Sequence, residues 1–268
     1  MKYANGKIYD NRKEPLQYSK LVDKEGQTYT ACYPSNYKIV GPLGCGAQQW
    51  ATIVMDVHSS KSYVLKNSKW NKGKDLVSTS VAIDMCLKGF SDKMVSVPKI
   101  REASNSIYGS EYIIEELCAA SAHMDALVLD SIHPKEHKEI ARAVARLLIH
   151  THYKVDMSMI TQYLKADYGR LDKSDIARAN NVPDSFWMIN DDKKTSLLHN
   201  DLHEGNILYN GSTISVIDWG HAIIGQPSRD LLSIVSNYTD TKCGGKSGNS
   251  FVKHVIDAYR FYLDTMHR

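Results

Sequence analysis

Long apolar runs are missing from this chain: none of 18 residues occurs among its 268, which leaves no candidate for a membrane-spanning helix. The opening MKYANGKIYDNRK lacks an apolar core, so no cleavable signal peptide is expected. The five cysteines, Cys32, Cys45, Cys86, Cys118 and Cys243, are odd in number, scattered, and form no CxxC pair. That pattern offers neither a disulfide frame nor a zinc site, and they are expected as reduced thiols in a cytoplasmic protein. Phe is scarce, four residues against sixteen Tyr, and that imbalance points to no function. A formal net charge of +3 is too mild for a nucleic-acid platform. No internal repeat or low-complexity tract occurs. What is present, 43 % apolar and 24 % charged residues, is the composition of an ordinary soluble globular protein, long enough for one large domain or two lobes.

Patterning divides the chain unequally. Residues 1–34 are polar with one alternating patch, and admit either an extra strand pair or a loose leader. Tyr37–Leu65 reads as strand, glycine turn, strand, turn, strand. A helix is predicted over Thr79–Leu87, and strands over Met94–Ile100 and Tyr112–Leu117. Another helix should start near Pro134, a residue suited to a first helical turn. Its Ile140, Val144, Leu147 and Leu148 fall at i, i+4, i+7 and i+8, one buried stripe. The closing segment repeats that spacing with Val252, Val255, Ile256, Tyr259, Leu263 and Met266. A strand-rich first third before a helix-rich remainder argues for an α+β protein of two lobes, 1–116 and 117–268.

The most telling segment runs from Leu198 to Asp230, LHNDLHEGNILYNGSTISVIDWGHAIIGQPSRD. Asp201 follows His199 by two residues, Asn206 follows Asp201 by five, and Asp218 closes the apolar run Ile214–Ile217. Phosphoryl transfer uses this order: an Asp takes the proton of the acceptor hydroxyl, an Asn five residues on holds magnesium, and a second Asp holds metal too. Magnesium prefers hard oxygen ligands with only one or two carboxylates, which Asn206 and Asp218 would supply. Asp201 is therefore the candidate base, and His199 is expected to pack beneath the loop and bond backbone. His203 could face either substrate or a neighbouring carboxylate.

These residues resemble the aminoglycoside phosphotransferase and choline kinase branch of the protein-kinase-like superfamily. That branch shows H-[GN]-D-L-H-x-G-N-[IL]-L, I-D-[WF], and a Gly-x-Pro-x-x-Asp-Leu tail. Here those read His199–Leu208, Ile217–Trp219 and Gly225–Leu231. The resemblance implies a two-lobed fold with a small antiparallel-sheet N-lobe and a mainly helical C-lobe. It implies ATP and Mg2+ as cofactors, a hydroxyl-bearing substrate, and a bracing role for Asp230 beside the catalytic loop.

The same resemblance directs attention to the first third. Gly44 and Gly46 lie in the first strand turn, where glycine lets backbone N–H groups approach phosphate oxygens. Gln49 stands where kinases place a third glycine. Lys66, in Val64-Leu65-Lys66, resembles the strand lysine that holds the α- and β-phosphates. Such a lysine is normally fixed by a helical Glu. No Glu occurs between Lys66 and Arg101, so Asp84 is the expected substitute. Tyr112–Leu117 resembles the strand entering the interlobe hinge, with backbone groups around Glu115 and Leu117 expected at the adenine edge.

Two other signals lead nowhere. Gly244-Gly245-Lys246-Ser247 echoes a phosphate-binding loop, but the required earlier glycine falls at Asp240 and a flexible loop is expected. His150 and His152, at i and i+2, do not share a helix face, which excludes a metal pair on a helix. His150 is expected to end its helix.

The acceptor is read from length and charge. Eleven residues separate Asp218 from Asp230, too few for a regulated activation segment, and a helical-looking insertion lies between His150 and His199. Residues 153–196 hold seven acids against seven bases, and the last 47 residues contain no Glu. A polycationic acceptor needs a carboxylate-rich pocket, so a non-polycationic small molecule is expected. The alternative is a compact protein Ser/Thr kinase of the secreted-effector type.

Overall fold

The computed structural model describes residues 2–4, 7–9, 15–45, 49–69, 74–105, 111–116, 125–126, 132–167, 195–238 and 245–266. The chain forms two compact units, Met1–Met85 with Pro98–Ala120, and Cys86–Val97 with Ser121–Arg268. A single cut at 116 and 117 therefore misses one excursion: residues 86–97 join the second unit.

The first unit opens with two strand pairs. β1 (Lys2–Ala4) and β2 (Lys7–Tyr9) pair antiparallel, as do β3 (Leu16–Val22) and β4 (Thr28–Pro34). Residues 1–34 thus hold extra strands rather than a loose leader. The turn between β3 and β4 is closed by Asp23, whose Oδ1 accepts from the N–H groups of Glu25 and Gln27, with Gly26 at φ +82°.

β5 (Tyr37–Cys45), β6 (Gln49–Asp56) and β7 (Ser62–Ser68) follow as the expected meander. With α1 (Lys74–Leu87), β9 (Ile100–Asn105) and β10 (Glu111–Glu116) they complete the unit, in a seven-stranded antiparallel sheet ordered β2-β1-β9-β10-β7-β6-β5. Alternation along its strands makes two faces. Tyr63, Leu65, Tyr112 and Ile114 pack with Tyr29, Ala31 and Tyr33 of the β3–β4 hairpin. Tyr29 Oη meets Thr52 Oγ1 at 2.7 Å, and Asn67 Nδ2 donates to the Cys32 carbonyl at 3.0 Å. Ile100, Ala103 and Ile113 pack with Val77 and Val81 of α1. Pro42 sits in β5, an edge strand, where a missing N–H is tolerated.

In the second unit β8 (Val95–Ser96) runs parallel to β14 (Ile214–Val216), which pairs with β13 (Ile207–Tyr209), itself paired with β11 (Asp125–Ala126). α2 (Pro134–Ile149) starts where expected, capped by His133 accepting from Lys135 N–H. A π-helical turn, His150–Lys154, then prolongs it. Ile140, Val144, Leu147 and Leu148 are all buried, and α2 packs on the closing helix, here α4 (Gly245–Met266). Gly245, Lys246 and Ser247 thus form the first turn of that helix, not a flexible loop. Its stripe is buried as far as Leu263, whereas Met266 is exposed. The remaining elements are β12 (Ser196–Leu198), antiparallel to β15 (Ile223–Gly225), and α3 (Ser228–Tyr238). The insertion expected between His150 and His199 lies largely outside the described residues.

Residues 86–97 are tied into this unit by charge. Arg146 of α2 grips Asp92 in a bidentate pair, Nε to Oδ2 at 2.5 Å and Nη2 to Oδ1 at 3.1 Å, and donates to Tyr262 Oη on α4. Burial alone would raise the Asp92 carboxyl, but the Arg146 guanidinium and the Met94 N–H hold it below the usual carboxylate value. Cys32 and Cys86 are buried and in no disulfide, and burial pushes the Cys86 thiol up to about 12.

Asp92→Asn should therefore cost about 2 kcal/mol of stability at neutral pH. A depressed carboxyl stabilises above its unfolded pKa and loses that contribution as pH falls through its folded value. Urea denaturation of both proteins should show a gap at neutral pH that closes in acid.

Candidate active site

Strand register builds the segment from Leu198 to Asp230. In the β13–β14 hairpin Ile207 faces Val216, and one step further the Ile217 N–H donates to the Asn206 carbonyl at 2.9 Å. Asn206 and Asp218, twelve residues apart in sequence, are thereby brought to one end of the hairpin. Asp218 has φ +59° and ψ +61°, a left-handed conformation that non-glycine residues adopt at a cost.

Asn200 is also left-handed, at φ +63° directly before Asp201. Asn is among the few non-glycine side chains that visit this region routinely.

The Asp201 carboxylate is partly exposed, its side chain at 39 % of full accessibility. Asn206 is buried, and its Nδ2 donates to the Asp201 carbonyl at 2.8 Å and lies 3.3 Å from Asp201 Oδ2. Both neighbours are acceptors only, which fixes the amide with its NH2 toward Asp201 and leaves its oxygen available to a cation. His203 caps the 3₁₀ turn Glu204–Asn206 through Nδ1, which accepts from Gly205 N–H at 3.0 Å. Its Nε2 lies 3.0 Å from Asn206 Nδ2 and 3.8 Å from Asp201 Oδ2. A neutral ring accepts at only one nitrogen, so only one of the Gly205 and Asn206 contacts is a hydrogen bond at a time. His203 thus faces the carboxylate of Asp201.

Beneath the loop, His199 is buried and packs against Trp219, the rings tilted by 55° with centroids 4.5 Å apart. Burial lowers its pKa below the ordinary histidine value, against the pull of Asp230, Asp218 and Asp201. The neutral ring donates from Nε2 to the Ile217 carbonyl at 2.9 Å, a second tie between the loop and the Asp218 segment.

α3 is the platform. Asp230 Oδ2 accepts from His199 N–H at 2.9 Å, and its Oδ1 from Asn200 N–H at 2.7 Å. Ser233 Oγ and Asn237 Nδ2 reach the Leu202 carbonyl at 3.1 and 3.3 Å. Residues 230, 233 and 237 occupy i, i+3 and i+7, one helix face. Sequence reasoning overlooked Ser233 and Asn237; polar residues at that spacing from Asp230, set between Leu231, Leu232, Ile234 and Val235, were the available signal.

In the first unit, the Lys66 ammonium meets Glu115 at 2.9 Å, with both side chains largely buried. Lys66 faces Ile113 across the β7–β10 ladder, so Glu115 lies two residues along on the same face, within diagonal reach. The carboxylate seen on Lys66 thus comes from the adjacent strand, and Asp84 accepts from Ile100 N–H at 2.9 Å. Glu115 is in register with Val64 on one side and Ile100 on the other. Gly44 is in register with Ala51, whereas Gly46 and Leu117 lie outside the described residues.

No three His, Cys, Asp or Glu side chains gather into a metal cage among the described residues. The donors present, one amide oxygen and one carboxylate, fit a hard cation that completes its shell with phosphate and water oxygens.

Asp230→Asn replaces an all-acceptor group by one whose NH2 must face a backbone N–H. A loss of about 3 kcal/mol is expected, measurable by urea denaturation.

No curated protein matches the sequence. Among solved structures, spectinomycin phosphotransferase in complex with ADP and spectinomycin is 16 % identical, with a TM-score of 0.47 over 84 % of this chain and 78 % of that one. Residues 156–267 match the sequence profile of APH, the phosphotransferase enzyme family, and His199–Leu208, Ile217–Trp219 and Gly225–Leu231 all fall inside the matched segment.

Proposed function

We propose that this protein is a Mg-ATP-dependent phosphotransferase that moves the γ-phosphate of ATP to a hydroxyl of a small, non-polycationic acceptor. The observation that carries this reading is the pinned loop in which the Asp201 carboxylate is held by the Asn206 amide, while backbone joins Asn206 to the Asp218 segment.

Asp201 takes the proton of the acceptor hydroxyl as its oxygen bonds to the γ-phosphorus and the bond to the departing ADP breaks. Most of the acceleration in such a reaction is placement and charge stabilisation, so a rigid loop matters more than covalent chemistry. Asn206 and Asp218 are the residues that would hold Mg2+, which when bound neutralises charge on the phosphate oxygens. Lys66, oriented by Glu115, is assigned to the α- and β-phosphates, and Gly44 with Gly46 to backbone N–H contacts over them.

Eleven residues lie between Asp218 and Asp230. They fold as a 3₁₀ turn, Trp219–His221, then β15 paired to β12, then the start of α3. A strand committed to its partner leaves no free segment to regulate or to receive a protein substrate, which disfavours the protein Ser/Thr kinase alternative. Incubating the protein with γ-labelled ATP, Mg2+ and a cell lysate tests the reading. Label in the small-molecule fraction supports it, label only on protein favours the alternative, and no transfer overturns both.

Asp218→Ala should abolish ADP release and weaken Mg-dependent nucleotide binding, with Asn206→Ala milder because water replaces a neutral ligand more easily. Asp201→Asn should lower turnover by about 10²–10⁴-fold with ATP binding unchanged, as read by steady-state kinetics and calorimetry.

Charge yields a further expectation. After Ile223 the chain carries six Lys and Arg against four Asp. Ammonium groups brought near such a surface gain little attraction. ADP release across cationic, neutral and anionic hydroxyl compounds should favour the latter two, and saturable turnover of kanamycin-type compounds at low concentration would refute the charge argument.

A further inference from the structure

Two buried polar side chains in the second unit have no part in the chemistry above, yet bond to the group that holds the loop. Tyr259 of α4 places its Oη 2.8 Å from His152 Nδ1. His152 Nε2 lies 3.2 Å from Asp230 Oδ2, the same oxygen that accepts the His199 N–H. Tyr259, His152, Asp230 and His199 are each at most 1 % exposed. We propose that His152 and Tyr259 are positioning residues for Asp201, acting through Asp230, an inference that rests on the phosphotransferase reading.

An ionised carboxylate only accepts, so His152 Nε2 donates to Asp230, and the other ring nitrogen shares a hydrogen bond with the Tyr259 hydroxyl. Each bond in such a chain strengthens the next. The result is one orientation of the Asp230 carboxylate, with both oxygens aimed at the N–H groups of the two residues preceding Asp201. A carboxylate released from His152 could rotate about its side-chain bonds and carry Asn200, already in a left-handed conformation, with it. Misplacement of a reacting group by about 1 Å costs on the order of 10²-fold in rate.

His152 also grips the approach to the loop from a second side. Its carbonyl accepts from Ser196 Oγ at 2.8 Å, and Ser196 begins β12, the strand that delivers His199 and Asp201. The π-helical turn is what brings it there. His150, two residues earlier, faces the other way, with its Nε2 3.3 Å from the Cys86 carbonyl and its ring against Phe90. The turn therefore uses two faces, and the His152 face reaches α3.

The test uses the full chain and ADP release from Mg·ATP without added acceptor, with folded sites counted by binding of a fluorescent ATP analogue. Tyr259→Phe should lower kcat by about 3–10-fold with KM for ATP unchanged. His152→Leu should lower it by about 10²-fold. His152→Gln, which keeps an N–H near the Nε2 position, should recover much of that loss, as a general loss of packing would not. Hydrogen exchange over residues 195–209 gives a readout independent of turnover, and Tyr259→Phe should accelerate it. Wild-type kcat in both Tyr259→Phe and His152→Leu, no advantage of Gln over Leu, or unchanged exchange in Tyr259→Phe overturns the proposal. Asp201→Asn separates the two levels. If it keeps full ADP release, the phosphotransferase reading itself fails. If it is silent while Tyr259→Phe and His152→Leu are fully active, only the positioning role fails.

Discussion

The carboxylate of Asp230 is the point on which the site rests. It is fully buried, and a buried carboxylate survives only where hydrogen-bond donors surround it. Its donors are the His199 and Asn200 N–H groups and the His152 ring, drawn from segments far apart in the chain. The same bonds that make the charge tolerable hold the loop in shape, so stability of the core and geometry of the site are one requirement. The left-handed turn at Asn200 persists where the His199 and Asn200 N–H groups are both bonded to Asp230.

Around that anchor the site is built on regular elements rather than on loop conformation alone. The hairpin register of β13 and β14 brings Asn206 to the Asp218 segment, and the face of α3 spaces Asp230, Ser233 and Asn237 to match the loop above it. Neutral His199 closes the assembly: burial strips its charge, and its remaining N–H locks the loop to the Ile217 carbonyl. The first unit follows a similar logic, with a sheet face presenting Lys66 and a strand neighbour, Glu115, orienting it. A residue held on a strand or helix face is placed more reproducibly than one on a free loop, as the proposed phosphoryl transfer would require.

The amino-acid sequence by itself determined what depends on near neighbours. The spacing of His199, Asp201, Asn206 and Asp218, the i, i+4, i+7 stripe of α2, the proline at its start and the glycine-bearing hairpin are local patterns. Local patterns follow from the helix and strand periods of 3.6 and 2.0. Tertiary structure decided what depends on which strand lies beside which. Asp84 could be named from its place on a helix after Lys66, but register also puts Glu115 diagonal to Lys66, a relation that exists only once β7 and β10 pair. His150 and His152 are equivalent as letters, and the π-helical turn selects His152 for Asp230. Tyr259 reads as one more apolar position of a helical stripe, and its hydroxyl acquires a partner only when α4 packs against α2. Hydrogen bonds act over about 3 Å, and separations of that order between residues remote in sequence come from packing, which no local period encodes.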